Sequence, residues 1–163
     1  MAESVTPSAP AKPSLLTRIV GSALGTGYAP IASGTVASAL AMAWYAIPGV
    51  EMPILLLPMT VGLFFWGVRV AERMEAYYGP DPAEVTVDEV VGQWITVLFL
   101  PKSVVLMVAG FFLFRIFDII KPYPARRFDR QRGGYAIMMD DVVAGIYANL
   151  VLQAAYALGL FSA

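Results

Sequence analysis

Two adjacent aspartates, Asp140 and Asp141, stand in the segment GGYAIMMDDVVAGIYANL, directly before a long apolar run. Similar residues border two other apolar runs: Asp88 and Glu89 precede VVGQWITVLFLP, and Asp118 lies in FRIFDIIKPYP. An ionised carboxylate at the edge of hydrocarbon is costly unless a cation or a hydrogen-bond donor meets it. These five carboxylates are therefore the first candidates for chemistry.

The amino-acid composition excludes several kinds of catalytic group and metal ligand. The 163 residues include no cysteine and no histidine, which excludes thiolate and imidazole metal ligands and Cys or His nucleophiles. Catalysis must then use carboxylates, hydroxyls, Lys, Arg and metal, and a hard cation such as Mg²⁺ prefers oxygen ligands. We predict a Mg²⁺ site whose ligands are Asp88, Glu89, Asp118, Asp140 and Asp141.

Each acidic pair taken alone also has a structural explanation. Asp88 and Glu89 are predicted to begin one helix, and Asp140 and Asp141 to begin another. The positive end of a helix dipole stabilises carboxylates at such positions. Both interpretations stay open for each pair, but three acidic clusters at one membrane face favour a metal site.

Asp118 has no such explanation. It is predicted to lie at the carboxyl end of a helix that Pro122 must soon stop, where the helix dipole disfavours negative charge. It needs a cation, which is Arg115 or Lys121, each three residues away, or a metal ion.

A basic loop follows this aspartate. It contains Lys121, Arg126 and Arg127, with further arginines beyond them, and would hold an anionic substrate. A patch that binds anionic lipid head groups explains the loop equally well and is compatible with substrate binding.

A run of small residues and hydroxyls near the amino terminus, GTGYAPIASGTVASAL, is a second candidate for substrate binding. Backbone N–H groups around Gly34 and Thr35, at the start of a helix, could meet a phosphate. The alternative is an N-cap by Ser33 with tight helix packing through Gly34. The run matches neither the nucleotide P-loop nor the dinucleotide fingerprint.

The elements that must position these residues are membrane helices. Hydrophobic residues make up 58% of the chain and charged residues 14%, whereas soluble domains carry about 25% charged residues. A net charge of -1 gives no basic excess for nucleic acid. A spanning helix needs roughly 20 apolar residues, and four segments approach this length, at about 34–47, 53–73, 103–117 and 141–161. The predicted fold is an all-α polytopic membrane helix bundle of four to five short transmembrane helices.

A shorter apolar run, from Val90 to Pro101, decides the topology. As a helix of roughly 18 Å it either crosses the membrane or enters and returns. If it crosses, ten of the 11 Lys and Arg residues share one side and only Lys102 lies opposite; if it returns, the split is six to five. Because positive charge is retained in the cytoplasm, we predict five membrane helices with the acidic clusters on the cytoplasmic side.

The rest of the chain gives three smaller predictions. Residues 1–14, rich in Pro, Ala and Ser, are predicted to form a disordered tail, and residues 15–163 a single membrane-embedded domain. The segment LLTRIVGSALG predicts a short amphipathic helix at the membrane interface. Five short helices are also compatible with a homo-oligomer.

Four blocks, GTGYAPIASGT, VDEVVGQWIT, FRIFDIIKPYPARRFDR and GGYAIMMDDVVAGIYANL, together resemble the phosphatidylglycerophosphatase A family over roughly residues 21–150. The resemblance implies a bacterial inner-membrane, Mg²⁺-dependent phosphatase that converts phosphatidylglycerophosphate to phosphatidylglycerol. By position, it also implies an active site that contains Asp88, Glu89, Asp118, Lys121, Asp140 and Asp141.

The implied reaction is hydrolysis of a phosphomonoester at a lipid head group. Within the implied site we predict catalytic roles for Asp88, Asp118, Asp141 and Lys121, and substrate contacts for Gly34, Thr35, Lys121, Arg126 and Arg127. The basic groups would neutralise the phosphate oxygens. Either water or an aspartate attacks phosphorus, the latter forming an aspartyl-phosphate, and the sequence does not choose between these routes.

Two other functions are weighed against this one. A lipid phosphotransferase of the CDP-alcohol type also uses membrane carboxylates and a divalent metal, but the DG...AR pattern expected of it is missing. A non-catalytic membrane module, either a cation-conducting bundle or a scaffold, would only pair its acidic residues with arginines. A channel places ionisable groups along a pore through several helices, whereas these lie at one face.

Overall fold

The computed structural model describes residues 10–161, and this part of the chain is all helical, as predicted. Besides a short 3-10 turn at Thr26–Tyr28, its helices are α1 (Leu15–Gly21), α2 (Ser33–Tyr45), α3 (Pro53–Tyr78), α4 (Val87–Val97), α5 (Val104–Ile120), α6 (Ala125–Asp129) and α7 (Gly134–Ala157). Of the predicted tail, residues 1–9 lie outside the described residues, and residues 10–14 form no helix. The division into a tail and one domain stays a prediction.

Helix α4 is the centre of the bundle. Eight of its 11 residues are buried, and α2, α3, α5 and α7 all pack against it. A helix that is apolar on nearly every side belongs in a core. Trp94 joins α4 to α2, because its indole N–H donates a hydrogen bond to the carbonyl oxygen of Ala41 at 3.1 Å.

The helices run between two ends of the bundle. Lys102, which follows α4, donates to the carbonyl oxygens of Ala46 and Ile47 at 2.8 and 3.3 Å and to the Glu51 carboxylate at 3.2 Å. These contacts bring together the carboxyl ends of α2 and α4 and the amino ends of α3 and α5, at what we call the Lys102 end. The opposite end, where α4 begins and α5 stops, is called the acidic end. Helix α4 is one continuous helix from the acidic end to the Lys102 end.

Two helices in the described part of the chain are long and apolar enough to cross a membrane, Pro53–Tyr78 and Gly134–Ala157. The other predicted spans are shorter, since α2 has 13 residues, α4 has 11 and α5 has 17. At 1.5 Å per residue, these three extend roughly 16 to 26 Å. Length alone therefore identifies two of the four to five predicted spans.

The last helix begins earlier than predicted. It starts at Gly134, so Asp140 and Asp141 lie well inside it rather than at its amino end. Of the two explanations left open for this pair, stabilisation by the helix dipole does not apply, because that effect fades beyond the first turn. The early start brings α7 close to α3, and glycine is needed here because a side chain at Gly134 would overlap the backbone of Val68 in α3.

The outer surface of the bundle is apolar. Ile54 on α3 and Val104 on α5 are 79% and 75% exposed, and large exposed apolar areas mark contact with a membrane or another protein. Helix α1 exposes Leu15 and Leu16 and buries Thr17, and its place at the membrane interface stays a prediction.

Candidate active site

Three carboxylates from three helices meet at the acidic end. Glu89 of α4, Asp118 of α5 and Asp141 of α7 each place one carboxylate oxygen within 4.8 Å of the others. Asp141 is buried, and the side chains of Glu89 and Asp118 are only 13% and 12% exposed. The structure thus brings together three predicted site residues that are far apart in the sequence, and we call them the carboxylate cluster.

Glycines let two helices of the cluster approach closely. A side chain at Gly92 of α4 would lie 2.7 Å from the carbonyl oxygen of Asp141 and 2.5 Å from the ring of Phe114. A side chain at Gly145 of α7 would overlap the backbone of Gly92. Because Gly92 lies about one turn after Glu89, this backbone contact brings Asp141 next to Glu89.

One cation faces the carboxylate cluster. Arg115 Nη1 contacts the Glu89 carboxylate, and Arg115 Nη2 lies 3.3 Å from Asp118 Oδ2. Ser38 of α2 supports this arrangement, because its hydroxyl donates to Glu89 Oε2 at 3.3 Å. Of the two side chains considered as the partner of Asp118, the structure selects Arg115 and not Lys121.

The charges of the carboxylate cluster call for a further cation. Three ionised carboxylates would face one guanidinium, and Asp141 Oδ2 is buried with no hydrogen-bond partner among the described residues. A buried carboxylate oxygen without a partner is costly. A divalent cation that takes oxygen ligands fits this donor set, and Glu89, Asp118 and Asp141 would hold it.

Lys121 connects a second acidic group to the site. It directly follows α5, and its Nζ lies 2.7 Å from Asp140 Oδ2 and 2.5 Å from Asp129 Oδ1. Burial lowers the pKa of Lys121, but the carboxylates of Asp140 and Asp129 raise this pKa by more, so the ammonium stays charged. Asp140 therefore pairs with Lys121 and lies outside the carboxylate cluster, although it is next to Asp141 in α7.

Asp88 lies beside the carboxylate cluster without joining it. Its Oδ1 accepts the backbone N–H of Glu89 at 3.0 Å in the first turn of α4. Among residues 10–161 it is not one of the three whose oxygens approach within 4.8 Å. The helix dipole favours a carboxylate at this position, whereas the carboxylate of Glu89 turns to Arg115.

The first turn of α2 packs against Glu89. A side chain at Gly34 would collide with the Glu89 carboxylate and lie 3.0 Å from Arg115 Nη1. Only glycine therefore allows this approach, and Thr35 follows in the same turn. The predicted phosphate-binding segment is thus adjacent to the carboxylate cluster.

Of the alternative explanation for this segment, the tight packing through Gly34 is present but the N-cap by Ser33 is not. Ser33 is the first residue of α2, and its hydroxyl donates instead to the carbonyl oxygen of Ala83 at 3.2 Å. The capping position belongs to Ala32, which has no side-chain acceptor and has a left-handed φ of 51°. The first N–H groups of α2 are therefore available to an anion.

The predicted substrate-binding arginines occupy a different place from the carboxylates. Arg126 and Arg127 of α6, together with Lys121 and Arg130, line an open cavity of about 550 Å³ that we call the basic cavity. Helix α6 packs against α7, which carries Asp140 and Asp141. Lys121 belongs to both places, because it lines the basic cavity and pairs with Asp140.

Sequence reasoning missed Arg115 as a site residue, having considered it only as a partner for Asp118. Its signal is visible in the sequence, since it is the one basic residue within the apolar segment of α5. A charged side chain in such a segment is costly and tends to be functional.

Comparison with known proteins gives a family and three relatives. The family model described as phosphatidylglycerophosphatase A matches residues 19–156. A protein from Bacteroides thetaiotaomicron named "Putative phosphatidylinositol-3-phosphatase" is 37% identical over 158 residues, covering 88% of this chain and 96% of the relative. No solved structure matches.

Two further relatives carry the name of the family. Phosphatidylglycerophosphatase A of Escherichia coli is 37% identical over 132 residues, covering 78% of this chain and 76% of the relative. Phosphatidylglycerophosphatase A of Haemophilus influenzae is 35% identical over 123 residues, covering 68% and 76%. The chain is therefore a phosphatase enzyme that belongs to the phosphatidylglycerophosphatase A family.

Proposed function

We propose that this protein is a Mg²⁺-dependent phosphatase of a bacterial inner membrane, which hydrolyses phosphatidylglycerophosphate to phosphatidylglycerol and inorganic phosphate. The observation that carries the proposal is the buried carboxylate cluster beside the uncapped start of α2. Carboxylates that hold a cation and N–H groups that hold an anion are the two parts a phosphatase site needs. Family membership and the names of two relatives support the lipid substrate.

The residues of the chain have separate roles in this reaction. The first N–H groups of α2, around Gly34 and Thr35, bind phosphate oxygens, and the ammonium of Lys121 neutralises their charge. Mg²⁺, when bound, would stabilise the negative charge on the phosphoryl oxygens and favour ionisation of water. Asp118 or Asp141 is either the nucleophile or the base that takes a proton from the attacking water. In both routes the bond from phosphorus to the glycerol oxygen breaks, and that oxygen takes up a proton. In the nucleophilic route water then cleaves the aspartyl-phosphate, which releases inorganic phosphate and restores the carboxylate.

One further carboxylate supports these groups, since Asp140 positions Lys121 through the 2.7 Å contact. Asp88, which lies next to Glu89 in the first turn of α4, keeps its proposed catalytic role. Arg115 holds Glu89 and Asp118 in place. We assign it a positioning role, because its polar contacts are to Glu89, Asp118 and the hydroxyl of Ser38.

Phosphate release from phosphatidylglycerophosphate by the purified full-length protein tests the reaction and its metal. We expect release with Mg²⁺, loss of release in excess chelator, and recovery when Mg²⁺ is added back. Binding of Mn²⁺, followed by its electron paramagnetic resonance signal, should weaken in Asp141→Asn and stay unchanged in the control Glu51→Gln at the Lys102 end. Full activity in chelator, with the metal content verified, would overturn the metal-dependent mechanism.

We also propose five membrane-spanning helices, α2, α3, α4, α5 and α7, with the acidic end in the cytoplasm. The distribution of Lys and Arg supports this topology, as do the apolar outer surface and the continuous path of α4. The central helix α4 can be short, because its neighbours and not lipid surround most of it.

The absence of cysteine from the sequence makes a direct topology test simple. Gln131→Cys places one thiol at the acidic end, and Pro48→Cys places one in the loop at the Lys102 end; both positions are exposed. In intact spheroplasts a membrane-impermeant thiol reagent should label Pro48→Cys and spare Gln131→Cys until the cells are opened. Labelling of Gln131→Cys from outside would reverse the proposed orientation.

The Bacteroides relative favours phosphatidylinositol 3-phosphate as a second candidate substrate, because it is named "Putative phosphatidylinositol-3-phosphatase" and 96% of its length is covered. Both lipids carry a phosphomonoester on a polyol that a phosphodiester joins to diacylglycerol. Comparing kcat/KM for the two lipids in the same micelles decides between them. A higher value for the inositol lipid would replace the proposed substrate and leave the reaction class unchanged.

The two rival functions have less support. Family membership favours hydrolysis over transfer to an alcohol, and the carboxylate cluster lies at one end of the bundle instead of along a pore. Phosphate release by the purified protein would exclude a non-catalytic module directly.

A further inference from the structure

We propose that the basic cavity binds the phosphodiester of the lipid substrate, the phosphate that is not cleaved. The enzyme would then select lipids that carry both a phosphodiester and a phosphomonoester. This inference rests on the proposed function, since it assigns the second phosphate of the same substrate.

The basic cavity is large and carries unneutralised positive charge. Arg126, Arg127 and Arg130 line it and are exposed, and within residues 10–161 none of them forms an ion pair with a carboxylate. Three guanidinium groups from one short helix and the residue after it thus face a volume of about 550 Å³. Guanidinium groups match phosphate oxygens in a two-pronged geometry.

The other residues that line the basic cavity are of the types expected at a membrane surface. Ile120, the last residue of α5, is 60% exposed, and Tyr123 is 75% exposed. Tyrosine is enriched where hydrocarbon meets water, and exposed arginines extend their heads into that water. In a glycerophospholipid the phosphodiester adjoins the acyl chains, so it lies at this level of the membrane.

Lys121 places the two proposed phosphate sites next to each other. Its side chain lines the basic cavity, and its Nζ contacts Asp140, the neighbour of Asp141 in α7. The glycerol unit that separates the two phosphates of phosphatidylglycerophosphate would therefore lie beside Lys121, with the diester on the side of the arginines. The monoester would lie on the side of the carboxylate cluster.

The two sites also differ in the charge that they accept. A phosphodiester carries a single negative charge and needs only cationic side chains. The carboxylate cluster repels any anion unless a divalent cation is present, so it suits the phosphate that is to be hydrolysed with that cation. The arrangement therefore assigns each phosphate to one site.

The test compares two triple variants that remove the same charge. Arg126→Gln, Arg127→Gln and Arg130→Gln alter the basic cavity, whereas Arg69→Gln, Arg73→Gln and Arg132→Gln remove three exposed arginines that do not line it. Substrates are presented in neutral detergent micelles, so that attraction to an anionic surface does not contribute. The substrates are phosphatidylglycerophosphate and phosphatidic acid, which has the phosphomonoester and no phosphodiester.

For the cavity variant we expect KM for phosphatidylglycerophosphate to rise roughly tenfold or more, with kcat changed much less. KM for phosphatidic acid should stay unchanged, and the control variant should behave as wild type with both lipids. Direct titration with short-chain phosphatidylglycerol, which carries only the phosphodiester, should show the same loss of affinity without turnover.

Three results would overturn the inference. They are equal effects of both triple variants, an equal rise of KM for both lipids, and unchanged affinity of the cavity variant for short-chain phosphatidylglycerol. The proposed function fails separately, when wild-type protein releases no phosphate from phosphatidylglycerophosphate. The phosphatidylglycerol titration still reports on the basic cavity in that case.

Discussion

The two ends of the bundle use ion pairs in different ways. At the Lys102 end one ammonium meets one carboxylate, Glu51, and two carbonyl oxygens at the close of α2, with both charged side chains a quarter or more exposed. At the acidic end three carboxylates lie together, the guanidinium of Arg115 contacts two of them, and one oxygen of the third, Asp141, has no partner in the described part of the chain. The first arrangement is complete as it stands, whereas the second needs a ligand.

This contrast separates charges that serve folding from charges that serve chemistry. In an ion pair at a loop, such as Lys102 with Glu51, each charge has its partner, so the pair offers no free group to a ligand. A buried cluster with excess charge of one sign costs folding free energy and persists where function requires it. Substitutions at the two ends should therefore differ in kind, with activity lost at one and almost nothing lost at the other.

The largest loss of turnover should come from Asp118→Asn. The carboxylate is proposed as a metal ligand or nucleophile, so turnover should fall on the order of a thousandfold or more. The free energy of unfolding should change by about 1 kcal/mol or less, because Arg115 keeps Glu89 and the neutral amide relieves repulsion within the cluster. Phosphate release and thermal unfolding are measured on the same preparation. Near-normal turnover would return Asp118 to the simple role of ion-pair partner for Arg115.

The second-largest loss of activity should come from Gly34→Ala. A methyl group there collides with the Glu89 carboxylate, and displacing a catalytic group by about 1 Å costs on the order of a hundredfold in rate. The matched control is Gly62→Ala in α3, where a methyl group meets nothing within 4 Å and alanine favours the helix. We expect kcat/KM to fall only in the first variant. Equal activity of the two would show that α2 does not approach the site closely in solution.

Lys121→Met should affect both activity and stability. Removing the ammonium leaves Asp140 without its partner, which should cost about 2 kcal/mol of unfolding free energy. The folded-state pKa of Lys121 lies above its ordinary value of 10.5, so this stabilisation is fully present below pH 10.5 and is lost as the pH rises through the folded-state pKa. Denaturant unfolding should therefore show a constant difference from wild type between pH 7 and 9. A difference that declines already in this range would contradict the assignment.

A substitution in the middle of α4, between the two ends of the bundle, should have a smaller effect and should stabilise the protein. Gln93 in α4 is fully buried, and neither atom of its amide has a hydrogen-bond partner in the described structure. Gln93→Leu removes these unpaired groups at similar volume and should raise the free energy of unfolding by about 1 kcal/mol or more. The control Gln153→Leu removes an amide that donates to Leu98 at 3.4 Å and should not stabilise. A destabilised Gln93→Leu would show that the amide binds something in the native protein.

The sequence carried most of the information needed for the helices and for the cluster. Apolar runs predicted α2, α3, α5 and the central α4, because burial or lipid contact leaves a direct trace in composition. Asp118 was singled out because a carboxylate at a helix carboxyl end contradicts the local dipole. These predictions depend only on neighbours in the chain.

What could not be predicted depends on contacts between helices. The early start of α7 at Gly134 follows from its packing against Val68 of α3, and propensity alone assigns two glycines to a loop. Nothing in the sequence indicates that Lys121 pairs with Asp140 and Asp129 and leaves Asp118 to Arg115. Side-chain partners across a bundle are set by how helices cross, which no single segment determines.

The smallest effect should come from Glu51→Gln at the Lys102 end. A hydrogen bond from its own backbone N–H lowers the pKa of Glu51 most, and Lys102 and Gly49 lower it further. The depressed folded-state pKa means that the carboxylate stabilises the protein above its ordinary pKa of 4.5 and loses this contribution as the pH falls through the folded-state value. At pH 7 the variant should therefore unfold slightly more easily than wild type, and the two should converge as the pH falls through the folded-state pKa of Glu51. Turnover should stay within roughly twofold of wild type, because an exposed pair contributes little and the Lys102 end carries no part of the proposed site. A large loss of phosphate release in Glu51→Gln would mean that the ends are coupled through α4, and the division between a structural end and a catalytic end would no longer hold.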